Sequence, residues 1–265
     1  MSIQSLIPRR IFQVGVASAK PATRLIAQYV AHHPDATIAF QGEYQKLPSY
    51  LRRIVPSSRW TKVYPAHYYY DPKSHGGPAA MKAAGEKLGK DIYQALRRAK
   101  DAPGFVLIDE LRLGNALVIK SAAQYLAKQQ PSVAGRWGTY FAHVDSYRPY
   151  DQDGVLAALK SAGARAVVEE YPQRLMIDDP SAFKSYVNVP GLKFLKKRGL
   201  DPTVVLGVYD SRIGDGAAGT QNLQRLMDKF EQLAPGMRHR LGAWQFGNAD
   251  PDMVARAKIV TLAGR

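Results

Sequence analysis

Phe105-Val-Leu-Ile-Asp-Glu110 is preceded by the helix-breaking pair Pro103-Gly104 and followed within a few residues by a stretch of helical periodicity from Asn115 to Lys128. Four consecutive apolar residues ending abruptly in two acids describe a strand buried on both faces whose far end meets a polar surface. Seven other segments repeat the arrangement: Ile11–Val16, Thr37–Gln41, Lys62–Tyr64, Trp137–Val144, Arg165–Val168, Thr203–Val208 and Leu241–Phe246. Helical patterns lie between them, over Thr23–His32, Ala79–Lys100, Gly154–Ser161, Gln221–Leu233 and from about Asp252 onward.

Eight alternations of strand and helix predict an α/β fold, a single-domain (βα)8 TIM barrel over residues 1–265. The length suits it, since one such barrel takes about 250 residues. The connection from 172 to 190 is longer than the others and reads as an insertion, with Asp178-Asp179-Pro180 able to start a short helix over Ser181–Tyr186.

Composition narrows the chemistry. The chain has no cysteine, which excludes disulfides, zinc–thiolate sites, iron–sulfur clusters and thiol nucleophiles. Its apolar residues fall in short runs, far below the roughly 20 needed to span a bilayer, so no membrane insertion is expected. Met1–Arg10 lacks an apolar run with a cleavage site, so the protein is expected in the cytoplasm, or outside the cell or in its envelope if a leader has been removed. The formal net charge of +15 creates a positive field suited to polyanions, among them an anionic polysaccharide. Its basic clusters, Arg52–Arg53, Arg97–Arg98–Lys100 and Lys193–Arg198, are scattered, so nucleic acid is a less favoured partner.

In a barrel of this kind the functional groups stand at the carboxyl ends of the strands. Those ends carry Gln41 and Glu43, His67, Asp109 and Glu110, His143 and Asp145, Glu169 and Glu170, Asp210, and Gln245. Glycoside hydrolysis needs two carboxyl groups flanking the scissile bond, and a rim this rich in acids supplies them. Glu110 is the expected proton donor, with Asp109 beside it and Glu170 or Asp210 as its partner. Consecutive residues of a regular strand point to opposite faces, so only one of Asp109 and Glu110 is expected at the mouth unless a bulge aims both. Glu169 and Glu170 pose the same choice. Any one of these acids also suits a helix cap or an ion pair, so the set carries more weight than its members.

Substrate recognition is expected from Glu43, Gln41, His67, Tyr69, His143, Asp145, Tyr171, Tyr209, Trp244 and Gln245. The aromatics among them, with Tyr44, Tyr68, Tyr70, Tyr147 and Tyr150, follow predicted strands and offer rings to stack on sugars.

The acids after the fourth, sixth and seventh strands, with Trp244 on the eighth, resemble the placement of functional groups in the barrel glycoside hydrolases, a resemblance of topology over the whole chain. Since fold does not imply function, the expectation of a carbohydrate substrate, cleaved by carboxylates with no cofactor or metal, rests on the carboxylates and aromatics. The fourth strand nevertheless lacks the spaced acidic series of the chitinase-like families, and the asparagine–glutamate pair of many retaining families is absent.

Three other readings compete. A metal-dependent phosphodiesterase or related hydrolase would draw ligands from His67, His143, Asp145, Glu43 and Glu170, but the chain has no helical His-Glu-x-x-His. A phosphate site would use the loop of Arg212, Gly214, Gly216 and Gly219, although Asp215 opposes an anion there. A non-catalytic carbohydrate-binding barrel would use the aromatics alone.

Overall fold

The computed structural model describes residues 10–14, 20–66, 69–70, 76–98, 100–141, 148–170, 189–200, 202–208, 216–233, 236, 238, 241–246 and 252–262. Within them the eight strands are β1 (Arg10–Val14), β2 (Ala36–Phe40), β3 (Trp60–Pro65), β4 (Phe105–Leu111), β5 (Trp137–Phe141), β6 (Arg165–Glu170), β7 (Pro202–Gly207) and β8 (Gly242–Phe246). Each pairs in parallel with its neighbours in chain order, and β8 returns to β1, so the sheet is a closed barrel. The helices are α1 (Lys20–His32), α2 (Ser49–Ile54), α3 (Pro78–Leu96), α4 (Ala116–Ala127), α5 (Arg148–Gln152), α6 (Val155–Ser161), α7 (Val189–Lys197), α8 (Gly216–Leu233) and α9 (Met253–Leu262). Among the described residues no helix is long and apolar enough to cross a membrane.

Strand alternation divides the apolar residues into two cores. Ile11, Ala39, Val63, Phe105, Leu107, Tyr140, Val167 and Val205 fill the barrel interior. The residues between them, such as Phe12, Ile38, Trp60, Val106, Ile108, Trp137, Val168 and Leu206, face the helices and join the larger outer core. Both faces of every strand are thereby covered, which is why these strands read as continuous apolar runs. Thr61 and Thr37 sit at interior positions below this packing and satisfy each other through a 2.8 Å hydroxyl bond.

Arg10 secures the seam between first and last strands. Only 1% exposed, it donates from Nε to the Leu241 carbonyl at 2.8 Å and from Nη2 to the Val260 carbonyl at 2.6 Å, and also bonds the Tyr29 hydroxyl. One side chain from β1 thus reaches α1, the entry to β8, and α9.

The strand pattern is as expected, with most ends shifted by one or two residues and β4 running three residues further, to Leu111. Two local features differ. Ser49–Ile54 forms a helix that its Pro48 start and short apolar content do not announce, and α8 begins at Gly216 inside the expected glycine loop. Its Gly216-Ala-Ala-Gly219 opening lies above a strong amphipathic stripe, and the helix extends back through it. The predicted short helix over Ser181–Tyr186, and nearly all of the 172–190 connection, fall outside the described residues.

Candidate active site

Among the described pairings the ladder breaks register at two places. On β4, Ile108 pairs Thr139 and Leu111 pairs Phe141, so Asp109 and Glu110 together oppose Tyr140. On β8, Ala243 pairs Phe12 and Phe246 pairs Val14, so Trp244 and Gln245 together oppose Gln13. An extra residue of this kind lifts the strict in-out alternation and bends the strand, a device common at barrel rims and beside active sites. Both breaks fall on residue pairs that the sequence singles out. β4 and β8 are four strands apart in a barrel of eight, so the two breaks lie on opposite walls.

Asp109 continues the interior parity of Phe105 and Leu107, is half-buried, and pairs with Pro65 of β3. On β6 the register separates the second acidic pair: Glu169 pairs with Val205, an interior position, whereas Glu170 pairs with Leu206, which faces the helices. The two acids thus occupy register positions of opposite faces. For Glu110, Glu169, Glu170, Trp244 and Gln245 only the backbone is described, and Asp210, His67, His143, Asp145, Tyr171 and Tyr209 lie outside the described residues. Gln41 is an exposed residue in the bend just after β2.

Glu43 departs from the expected position at the mouth. β2 ends at Phe40, and the chain turns outward through Gly42 into the 3-10 turn Tyr44–Lys46. Glu43 is held there by Lys62 from the outer face of β3 and by Arg98, whose Nη1 lies 2.7 Å from Oε2. Arg98 follows the carboxyl end of α3, and neighbouring Gln45 bonds Asp101 in the connection entering β4, which puts this triad on the barrel flank toward the amino ends of the strands. Burial raises the Glu43 carboxyl, but the hydrogen bonds and charges of Lys62 and Arg98 outweigh it and hold the group below its ordinary value. The Lys62 ammonium also lies 4.8 Å from the centre of the Tyr64 ring. β2 ends three residues before Glu43, so the strand's in-out alternation does not extend to it.

Several aromatics also resolve into packing. Tyr69 donates its hydroxyl to Asp91 Oδ2 at 2.8 Å, meets Tyr64 edge-on at 6.1 Å, and has Lys87 over its ring at 5.0 Å. Burial, then the Asp91 hydrogen bond and charge, push its hydroxyl far above the usual tyrosine range. It belongs to the β3–α3 flank. Tyr44 is buried with its hydroxyl on the Val55 carbonyl at 2.7 Å, and Tyr150 is buried with its own on Leu111 at 3.4 Å.

One supporting residue escaped the sequence reading. Arg256 of α9, fully buried, donates Nη1 to the Val208 carbonyl and Nη2 to the Gly216 carbonyl, both at 3.1 Å. Those carbonyls bracket the connection that carries Asp210, so Arg256 ties its two ends together. An arginine at helical spacing among Met253, Ala257 and Val260 was the available signal.

Among the described residues no three histidine, aspartate or glutamate side chains converge as metal ligands. No family model and no curated protein matches the sequence. Among solved structures, an endo-beta-N-acetylglucosaminidase from Cordyceps militaris is 10% identical, the match covering 99% of this chain and 92% of that one with a TM-score of 0.47. A GH18 chitinase from Flavobacterium johnsoniae is 11% identical over 97% of this chain and 94% of its own, with a TM-score of 0.47. Values this low carry no inference about chemistry, and the barrel rests on its own strand pairing.

Proposed function

We propose that this chain is a glycoside hydrolase acting on a polysaccharide or oligosaccharide at the carboxyl-end rim of its barrel. The observation that carries the reading is the pair of register breaks on facing walls, one bearing Asp109 and Glu110, the other Trp244 and Gln245. A sugar lying across the rim would meet acids on one side and an aromatic ring on the other. Glu110 serves as proton donor and Asp109 tunes it. A second carboxylate, Glu169 by register or Asp210 by its place after β7, acts as nucleophile or base. The net charge of +15 favours an anionic substrate.

The test is release of reducing ends from a panel of neutral and acidic polysaccharides by the wild type and by Asp109→Asn, Glu110→Gln, Glu169→Gln and Glu170→Gln. Loss of the acid should lower the rate by about 10²–10⁴-fold for Glu110→Gln, while Glu170→Gln stays near wild type. Full activity in both Asp109→Asn and Glu110→Gln would sink the assignment. Sugar binding without turnover, surviving removal of Glu110, Glu170 and Asp210 together, would mark a non-catalytic carbohydrate-binding barrel. Activity lost to a chelator and restored by a divalent ion would assign metal-assisted hydrolysis.

A further inference from the structure

A groove of about 620 Å³ lies on the outer flank between α1 and α9, beneath the side chain of Tyr50 from α2. Lys20 and Arg24 stand one helical turn apart on α1, and Lys258 faces them from α9. All three are exposed, and among the described residues none of them makes an ion pair and no acidic side chain lines the groove. Like charges gathered in a concavity repel one another, and among the described residues the Tyr50 ring face under Arg24 is the one group there that offsets them. The floor is apolar, from Leu25 and Val254, and Gln28 adds a neutral hydrogen-bonding group. The helices that form the walls are anchored by buried residues, Ile26 and Val30 on one side, Ala257 and Val260 on the other.

We infer that this groove is a secondary binding site for an acidic oligosaccharide, a chain with carboxylate or sulfate groups spaced to meet the two walls. The inference rests on the carbohydrate reading for its ligand class but not on the rim carboxylates. Charge complementarity selects an anion, and the apolar floor beneath a cationic edge fits a sugar's apolar ring face and charged substituents. A bilayer surface cannot enter a concave flank. A single nucleic acid strand draws part of its affinity from bases stacking on free rings, whereas the Tyr50 ring is covered by the Arg24 guanidinium at 5.6 Å. Such a site would hold a long substrate on the barrel while its scissile bond lies at the rim.

The experiment measures affinity of the intact protein for a short sulfated oligosaccharide prepared from heparin, an uncharged dextran oligosaccharide of the same length, and a single-stranded DNA oligonucleotide. Two triple variants are compared: Lys20→Gln, Arg24→Gln, Lys258→Gln in the groove, and Lys82→Gln, Lys90→Gln, Lys193→Gln at exposed positions elsewhere. Both remove three charges, and unchanged melting temperatures establish that both fold. The inference expects about tenfold weaker binding of the sulfated sugar by the groove variant, a change under about threefold in the other, and negligible dextran binding. Equal losses in the two variants would reduce the effect to net charge and overturn the site. DNA bound as tightly as the sulfated sugar, with the same dependence on the groove residues, would overturn the ligand class. Because the readout is binding, it is independent of the rim: groove binding retained alongside inactive polysaccharide assays would refute the hydrolase reading and leave this one standing.

Discussion

Glu43→Gln separates a flank role from a substrate role. The carboxylate holds two cations, and the amide removes its charge while turning an NH₂ donor toward one of them. The Lys62 side chain, 8% exposed, is left without a counter-charge. Breaking a fully buried pair costs about 3–5 kcal/mol, but the Glu43 side chain is 41% exposed and water screens it, which brings the expected loss to about 1–2 kcal/mol. In a domain of this size that lowers the melting temperature by about 2–8 °C. The effect depends on pH. With the folded carboxyl held below its ordinary 4.5, the unfolded chain binds the proton first on acidification. The stabilisation is whole above about pH 4.5 and fades as pH falls through the folded value. Urea unfolding followed by circular dichroism at pH 7 and at stepwise lower pH should show the wild type converging on the variant. In a Lys62→Met background the same change should cost under about 0.5 kcal/mol. An unchanged midpoint at pH 7, or lost sugar binding without lost stability, would refute the reasoning and return Glu43 to the mouth.

Arg10→Met should cost about 2–4 kcal/mol in urea unfolding, because the carbonyls of Leu241 and Val260 lose their buried donor; a loss under about 1 kcal/mol would show that the seam does not depend on it. Arg256→Met frees both ends of the connection bearing Asp210, so proteolysis within residues 209–215 should quicken before global unfolding does, and a wild-type cleavage rate would contradict the tie. Gly85→Ala gains about 1 kcal/mol of helix propensity, yet its Cβ would stand 2.3 Å from the Val118 carbonyl oxygen and 2.6 Å from Ser121 Cβ, so α3 and α4 must part and net destabilisation of about 1–2 kcal/mol is expected by thermal melting. Tyr69→Phe removes the hydrogen bond to Asp91 and should cost about 1 kcal/mol while leaving saccharide affinity unchanged; a weakened affinity at full stability would make Tyr69 a substrate contact after all.

Side-chain period explains which parts of the molecule were legible. Strands buried on both faces announce themselves as apolar runs such as Val106-Leu-Ile108, and Gly and Pro punctuate them, so the barrel could be read locally. The rim acids were legible for the same reason: polar residues that end an apolar run stand where the core stops. Tyr44, Tyr69 and Tyr150 were ambiguous in sequence because a tyrosine that packs and one that binds a sugar look alike until the partner of the hydroxyl is known. Lys62 is a cation within a core strand, but its partner Glu43 lies 19 positions back along the chain, and no period connects the two.

Local patterning alone thus determined the order of strands and helices, the closed parallel sheet they imply, and the gathering of Asp109, Glu110, Glu169, Glu170 and Trp244 toward one end. Tertiary structure decided which of them share a wall, because ladder register is set by pairing between strands distant in sequence. One extra residue on β4 and one on β8 cancel the alternation from which faces are otherwise inferred. It also decided that Glu43 belongs to the flank, since the cations that hold its carboxylate, Lys62 of β3 and Arg98 beyond α3, are distant from it in sequence.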